Sequence, residues 1–71
     1  MLPVQCKMAR AAIGWSVRDL AKVSGTSANT VSRFETGKDS YTSTAQKLER
    51  ALIESGKIEF IDQNGVVLID G

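Results

Sequence analysis

A chain of 71 residues, 42% of them hydrophobic, holds one small domain near the lower size at which a single core suffices. Cys6 is the only cysteine and histidine is absent, which excludes an internal disulfide, a cysteine-built zinc site and the commonest general base; no enzyme and no cofactor is expected. The net charge of +1 hides an uneven spread, because residues 1–57 carry all nine Lys and Arg against five carboxylates, a net of +4, whereas residues 58–71 carry Glu59, Asp62 and Asp70 with no cation, −3. An acidic end is repelled by a polyanion, so it should lie away from any surface that meets one. No apolar run is long enough for a membrane helix, and Lys7 and Arg10 interrupt the first apolar segment, unlike a secretion signal. A cytoplasmic location is expected.

Pro3 suits the first turn of a helix, where a missing amide hydrogen costs nothing, and Gly14 supplies its stop. Between them Val4, Met8, Ala11 and Ala12 fall at helical spacing and predict the buried face, with Cys6 as a core or boundary residue. Trp15 follows as a core lid. Ser16 and Asp19 form a capping-box pattern for a second helix running to about Ser24, whose apolar or small face is Val17, Leu20, Ala21 and Ser24. Ala21 lacks bulk where two helices must cross closely, and Gly25 provides positive φ where the helix has to end.

Ser27 caps a third helix over residues 28–36. At about 100° per residue, Asn29, Ser32, Arg33 and Thr36 share one sector, and Ala28, Val31, Phe34 and Glu35 share the opposite one. One side is all hydrogen-bonding groups and the other is mainly apolar; Phe34 is read as core. Gly37 ends the helix and Lys38 adds a positive charge beyond it. After a polar loop, Ser43 and Gln46 give a capping-box signal for a fourth helix with Ala45, Leu48, Ala51 and Leu52 on its apolar face and Gly56 at its end.

The pattern then changes period. Ile58–Ile61 and Val66–Ile69 are β-rich runs joined by Asp62, Gln63, Asn64 and Gly65, a hairpin signal. A two- or four-residue connection places Ile61, Val66 and Leu68 on one face and Ile58, Phe60, Val67 and Ile69 on the other. One hairpin cannot cover two greasy faces: one face can pack on the chain's own helices, and the other face, or an edge, is expected to meet a second chain in a two-fold interface whose candidates are Ile58, Phe60, Ile61, Val66, Val67, Leu68 and Ile69; the alternative is a hairpin folded wholly on its own helices. The chain thus divides at 57/58 into a helical part, 1–57, and a hairpin, 58–71, serving as the dimerisation element.

The stretch ARAAIGWSVRDLAKVSGTSANTVSRFETGK resembles the Cro and phage-repressor (XRE-type) family of helix-turn-helix regulators. Ala21, Gly25 and Val31 keep that family's four- and six-residue spacings, the flanking G-x-S and E-x-G also fit, and the likeness covers roughly residues 4 to 55. It implies a mainly α, lambda-repressor-like bundle of four helices with a C-terminal β-hairpin, and an ion pair between Arg10 and Glu35. It also implies double-stranded DNA as partner, with residues 28–36 in the major groove. Arg33 could then donate two hydrogen bonds to a guanine edge and Asn29 could read adenine, with Ala28, Ser32 and Thr36 completing the base-reading set. Phosphate contacts would fall to Ser16, Arg18, Lys22, Ser27, Lys38, Ser40, Thr42 and Ser43, while Tyr41 either joins them or packs on the domain edge. One departure stands out: the residue after the first cap is often Gln in this family and helps hold a phosphate, but Val17 cannot donate a hydrogen bond.

The expected function is therefore sequence-specific DNA binding as a bacterial or phage transcriptional regulator, acting as a homodimer on an inverted-repeat operator. Two other classes share the fold: an antitoxin holding a toxin partner through the hairpin, and a protein-interaction adaptor that has lost DNA affinity.

Overall fold

A computed structural model describes residues 1–39, 41–61 and 65–69. The chain runs through α1 (Pro3–Ile13), α2 (Val17–Ser24), α3 (Ala28–Glu35), α4 (Thr42–Glu54), β1 (Ile58–Ile61) and β2 (Gly65–Leu68). Among the described residues no helix is long and apolar enough to cross a membrane. The helices enclose a core of Cys6, Ala9, Leu20, Ala21, Val31, Phe34, Leu48, Ala51, Leu52 and Ile58, with Ile13, Trp15, Val17, Ala28 and Ala45 packed on its margin.

The local signals of the middle segment act as the sequence predicts. Ser16 Oγ accepts from the Asp19 N–H at 3.1 Å while Asp19 returns a carboxylate to the Ser16 N–H at 2.9 Å. Gly25 closes α2 at φ 74°, in the left-handed region. Ala21 is buried where α2 packs on its neighbours α3 and α4, so its small side chain sits where the close approach needs it. For α3 the cap is Ser27, which accepts from the Thr30 N–H at 3.1 Å; the helix ends one residue earlier than predicted, with Thr36 as its C-cap and Gly37 beyond it at φ 78°.

The buried face of α1 is a correction. Val4, Met8, Ala11 and Ala12, the predicted core stripe, are exposed, and Gln5, Cys6 and Ala9 are buried instead. Small Cys6 and Ala9 allow the other helices to come close, and the same rotation of α1 lets Arg10 reach Glu35 on α3. The polar member of this face is satisfied: Gln5 Oε1 accepts from the Leu2 N–H at 2.8 Å, and its Nε2 donates to the Gly65 carbonyl at 3.2 Å.

The start of α4 also differs from expectation. The capping box of Ser43 and Gln46 does not form, because the helix begins at Thr42 and the N-cap is Tyr41, which makes no side-chain cap. Asp39 braces this end of the helix from outside, accepting the Tyr41 N–H at 2.9 Å on one carboxylate oxygen and the Thr44 hydroxyl at 3.3 Å on the other.

In the hairpin Ile58 stands opposite Leu68, Glu59 opposite Val67, Phe60 opposite Val66 and Ile61 opposite Gly65. This register leaves three residues, 62–64, between the last paired positions, and an odd connection reverses the parity that a two- or four-residue one would give. The predicted grouping of faces is therefore overturned: Ile58, Phe60, Val66 and Leu68 share one face, and Glu59, Ile61, Val67 and Ile69 share the other. Asp62, Gln63 and Asn64 lie outside the described residues. Ile58 is 2% exposed within the helical core, and Phe60 and Val66 pack against it. Three of the seven residues expected at a two-chain interface thus serve the chain's own fold, and the hairpin shares the helices' core across the 57/58 division.

Candidate nucleic-acid interface

Burial of Val31 and Phe34, with Ala28 half-buried beside them, fixes which way α3 faces. The opposite sector, Asn29, Ser32, Arg33 and Thr36, is exposed, so the hairpin does not cover it. Asn29, Ser32 and Arg33 make no side-chain hydrogen bond or ion pair among the described residues, which leaves their donors and acceptors free for an external partner. Thr36 is different: its hydroxyl donates to the carbonyls of Ser32 and Arg33, at 3.0 and 3.2 Å, so toward a partner it offers an acceptor and a methyl group.

The end of α3 is held by charge. Arg10 Nε donates to Glu35 Oε2 at 2.9 Å and its Nη2 to Oε1 at 3.0 Å, a two-pronged pair whose side chains are only 16% and 7% exposed. The remaining nitrogen, Nη1, donates to the Trp15 carbonyl at 3.0 Å, so one guanidinium ties α1, the α1–α2 turn and α3 together. Glu35 raises the guanidinium's affinity for its proton further. The Cys6 Sγ lies 3.5 Å from Glu35 Oε2; burial first, and the carboxylate second, push this thiol up to about 12, so it stays protonated and donates.

The expected phosphate-binding residues separate into free and committed groups. Arg18, Lys22, Lys38, Thr42 and Ser43 are exposed, as is Tyr41, whose 74% exposure decides against packing on the domain edge. At Ser16 both the hydroxyl and the amide are engaged with Asp19, so a phosphate there would have to displace a carboxylate or use the unpartnered amides of Val17 and Arg18. The Ser16 N–H donated to it holds the Asp19 carboxyl below the ordinary range, so the negative charge stays in place. The Ser27 hydroxyl is likewise engaged, with the Thr30 amide and, at 2.9 Å, the Thr30 hydroxyl. Ser40 lies outside the described residues.

A family described as helix-turn-helix matches residues 7–56, which is more than two thirds of the chain and runs from within α1 through the end of α4. The chain belongs to the helix-turn-helix family of the XRE and Cro type. No curated protein matches it closely enough to stand as a named relative. Within this helix-turn-helix, α2 and α3 are the two helices of the motif and α3 carries the open polar sector, so the chain is a DNA-binding regulator in the general sense of the family. Sequence reasoning missed Asp39 as the group that starts α4. Its signal was local: an Asp two residues ahead of an N-cap can form a turn with its own backbone. It also missed Gln5, because a buried amide facing a residue sixty positions away leaves no periodic trace.

Proposed function

We propose that the chain is a sequence-specific transcriptional regulator of bacterial or phage type that binds operator DNA as a homodimer in the cytoplasm. The single observation that carries this reading is the open sector of Asn29, Ser32 and Arg33, set outward on a helix whose other side is locked into the core. Arg33 supplies the two-pronged donor suited to guanine, and Asn29 pairs a donor with an acceptor as adenine requires. Ala28 is small enough to let the helix approach the bases. Arg18, Lys22 and Lys38, with the first turn of α4, would hold phosphates on either side.

Dimerisation rests on the outer hairpin face, where Ile61, Val67 and Ile69 are exposed around Glu59. One short helix reads only a few base pairs, and a two-fold pair would read an inverted repeat with half-sites about 34 Å apart. Truncating the hairpin is a poor test, since it removes buried Ile58 and the Gly65 carbonyl that holds Gln5. Val67→Lys is cleaner, because the new cation stands opposite Glu59 and preserves strand pairing while charging the outer face. Light scattering should give the mass of two chains for the native protein and of one for Val67→Lys. Sites selected from a random DNA pool should be inverted repeats. A native monomer at high micromolar concentration, or selection of single half-sites, would contradict the homodimer.

A further inference from the structure

The outward face of α4 carries Ser43, Gln46, Lys47 and Arg50 at i, i+3, i+4 and i+7, all exposed, and so forms one polar stripe. Together with Glu49 these residues line an open hollow of about 490 Å³. Lys47 and Arg50 have no ion-pair or hydrogen-bond partner among the described residues. Glu49, the one carboxylate of the hollow, reaches toward the start of α1, where its Oε1 lies 3.5 Å from the Met1 amine. The hollow therefore presents two unpaired cations and two neutral hydrogen-bonding groups.

Its position suggests what would fill it. In the chain the stripe begins at Ser43, next to exposed Tyr41 and Thr42 and five residues after exposed Lys38, so it follows directly on the segment proposed to hold phosphates after α3. Seven residues of helix at about 1.5 Å each carry it roughly 10 Å further. We infer that the α4 stripe is an additional, sequence-independent DNA contact, in which Arg50 and Lys47 hold backbone phosphates beyond those reached by the two-helix motif. The Arg50 guanidinium can grip two phosphate oxygens at once, Lys47 supplies a point charge, and the Ser43 hydroxyl and Gln46 amide can donate alongside them. This inference rests on the DNA-binding reading, and it adds Gln46, Lys47 and Arg50, which that reading does not use.

The test measures binding to a random-sequence duplex of about 30 base pairs, long enough to exceed one half-site, over a range of salt concentrations. Each lost phosphate contact should flatten the slope of log K against log salt by about 0.9, so Lys47→Ala with Arg50→Ala should flatten it by about 1.8 per bound chain, about 3.6 when both chains of a homodimer sit on the duplex, and lower low-salt affinity at least tenfold. Lys57→Ala, a cation at the far end of α4, should leave the slope near its native value, and a thermal melt should show the double variant folded. A native slope in the double variant overturns the inference, as does an equal loss in Lys57→Ala, which would mean overall charge is responsible. If polyglutamate binding were lost while the DNA slope stayed native, the stripe would belong to an acidic protein segment, and the inference would fall. If the native chain bound no duplex at all, DNA binding itself would fail, a result distinguishable from failure of the stripe alone.

Discussion

Arg10→Ala should lower the free energy of unfolding by about 3 to 5 kcal/mol, the loss expected when one partner of a buried ion pair is removed. Glu35, only 7% exposed in the native pair, would lose two charge-assisted hydrogen bonds and keep only the weak Cys6 thiol beside it. At roughly 0.05 to 0.15 kcal/mol per residue, a domain of this size has only about 4 to 11 kcal/mol in hand, so the variant should lose a large share of its stability. The Trp15 carbonyl would lose its donor at the same time, loosening the turn that leads into α2. Urea titration followed by Trp15 emission reads the change, since this is the sole tryptophan and it sits beside the pair. A double replacement, Arg10→Met with Glu35→Leu, should recover much of the loss, because it removes the stranded carboxylate along with its partner. A loss below about 1 kcal/mol for Arg10→Ala would mean that the pair behaves like an exposed one.

Arg33→Ala should act on recognition and leave folding alone. The side chain is exposed and makes no contact that the fold requires, so the urea midpoint should stay near the native value. Binding to the preferred site should weaken by about 1 to 3 kcal/mol per half-site, or roughly 5- to 150-fold for each, with relaxed choice at one base position in each half. Binding to random DNA should change much less, because non-specific affinity comes from phosphates. The contrast between the two substrates carries the inference. Equal losses on both would move Arg33 from the base-reading set to the phosphate set, and no loss on either would remove it from the interface.

The parts of the fold that the sequence made legible are those whose causes are local. Ser16 and Asp19 cap each other within one turn, Gly25 takes positive φ where the chain must reverse, and Ser27 caps α3 three residues ahead of the amide it binds. The polar sector of α3 followed from a contrast strong enough to fix orientation by itself, hydrogen-bonding groups against Val31 and Phe34. On α1 the contrast was weak, since apolar or small residues occupy both sides, and the facing is decided by groups far away in sequence: Glu35 for Arg10 and the Gly65 carbonyl for Gln5. Periodicity cannot see such partners. The hairpin faces turned on the parity of a single connection, where one residue more or less exchanges every side chain of one strand between the two faces. Ser43 had the right residue type for a cap, but the carboxylate of Asp39 reached the same end of α4 from outside the helix.

The most direct test of the central claim, that the open sector of α3 is the surface that meets DNA bases, is an amide chemical-shift titration of isotope-labelled protein with a duplex selected from a random pool. The largest changes should fall on Asn29, Ser32, Arg33 and Thr36, with smaller ones at Val17, Arg18 and Thr42, and the strand residues Glu59 and Phe60 should stay still. Changes gathered in the hairpin with α3 silent would contradict the account.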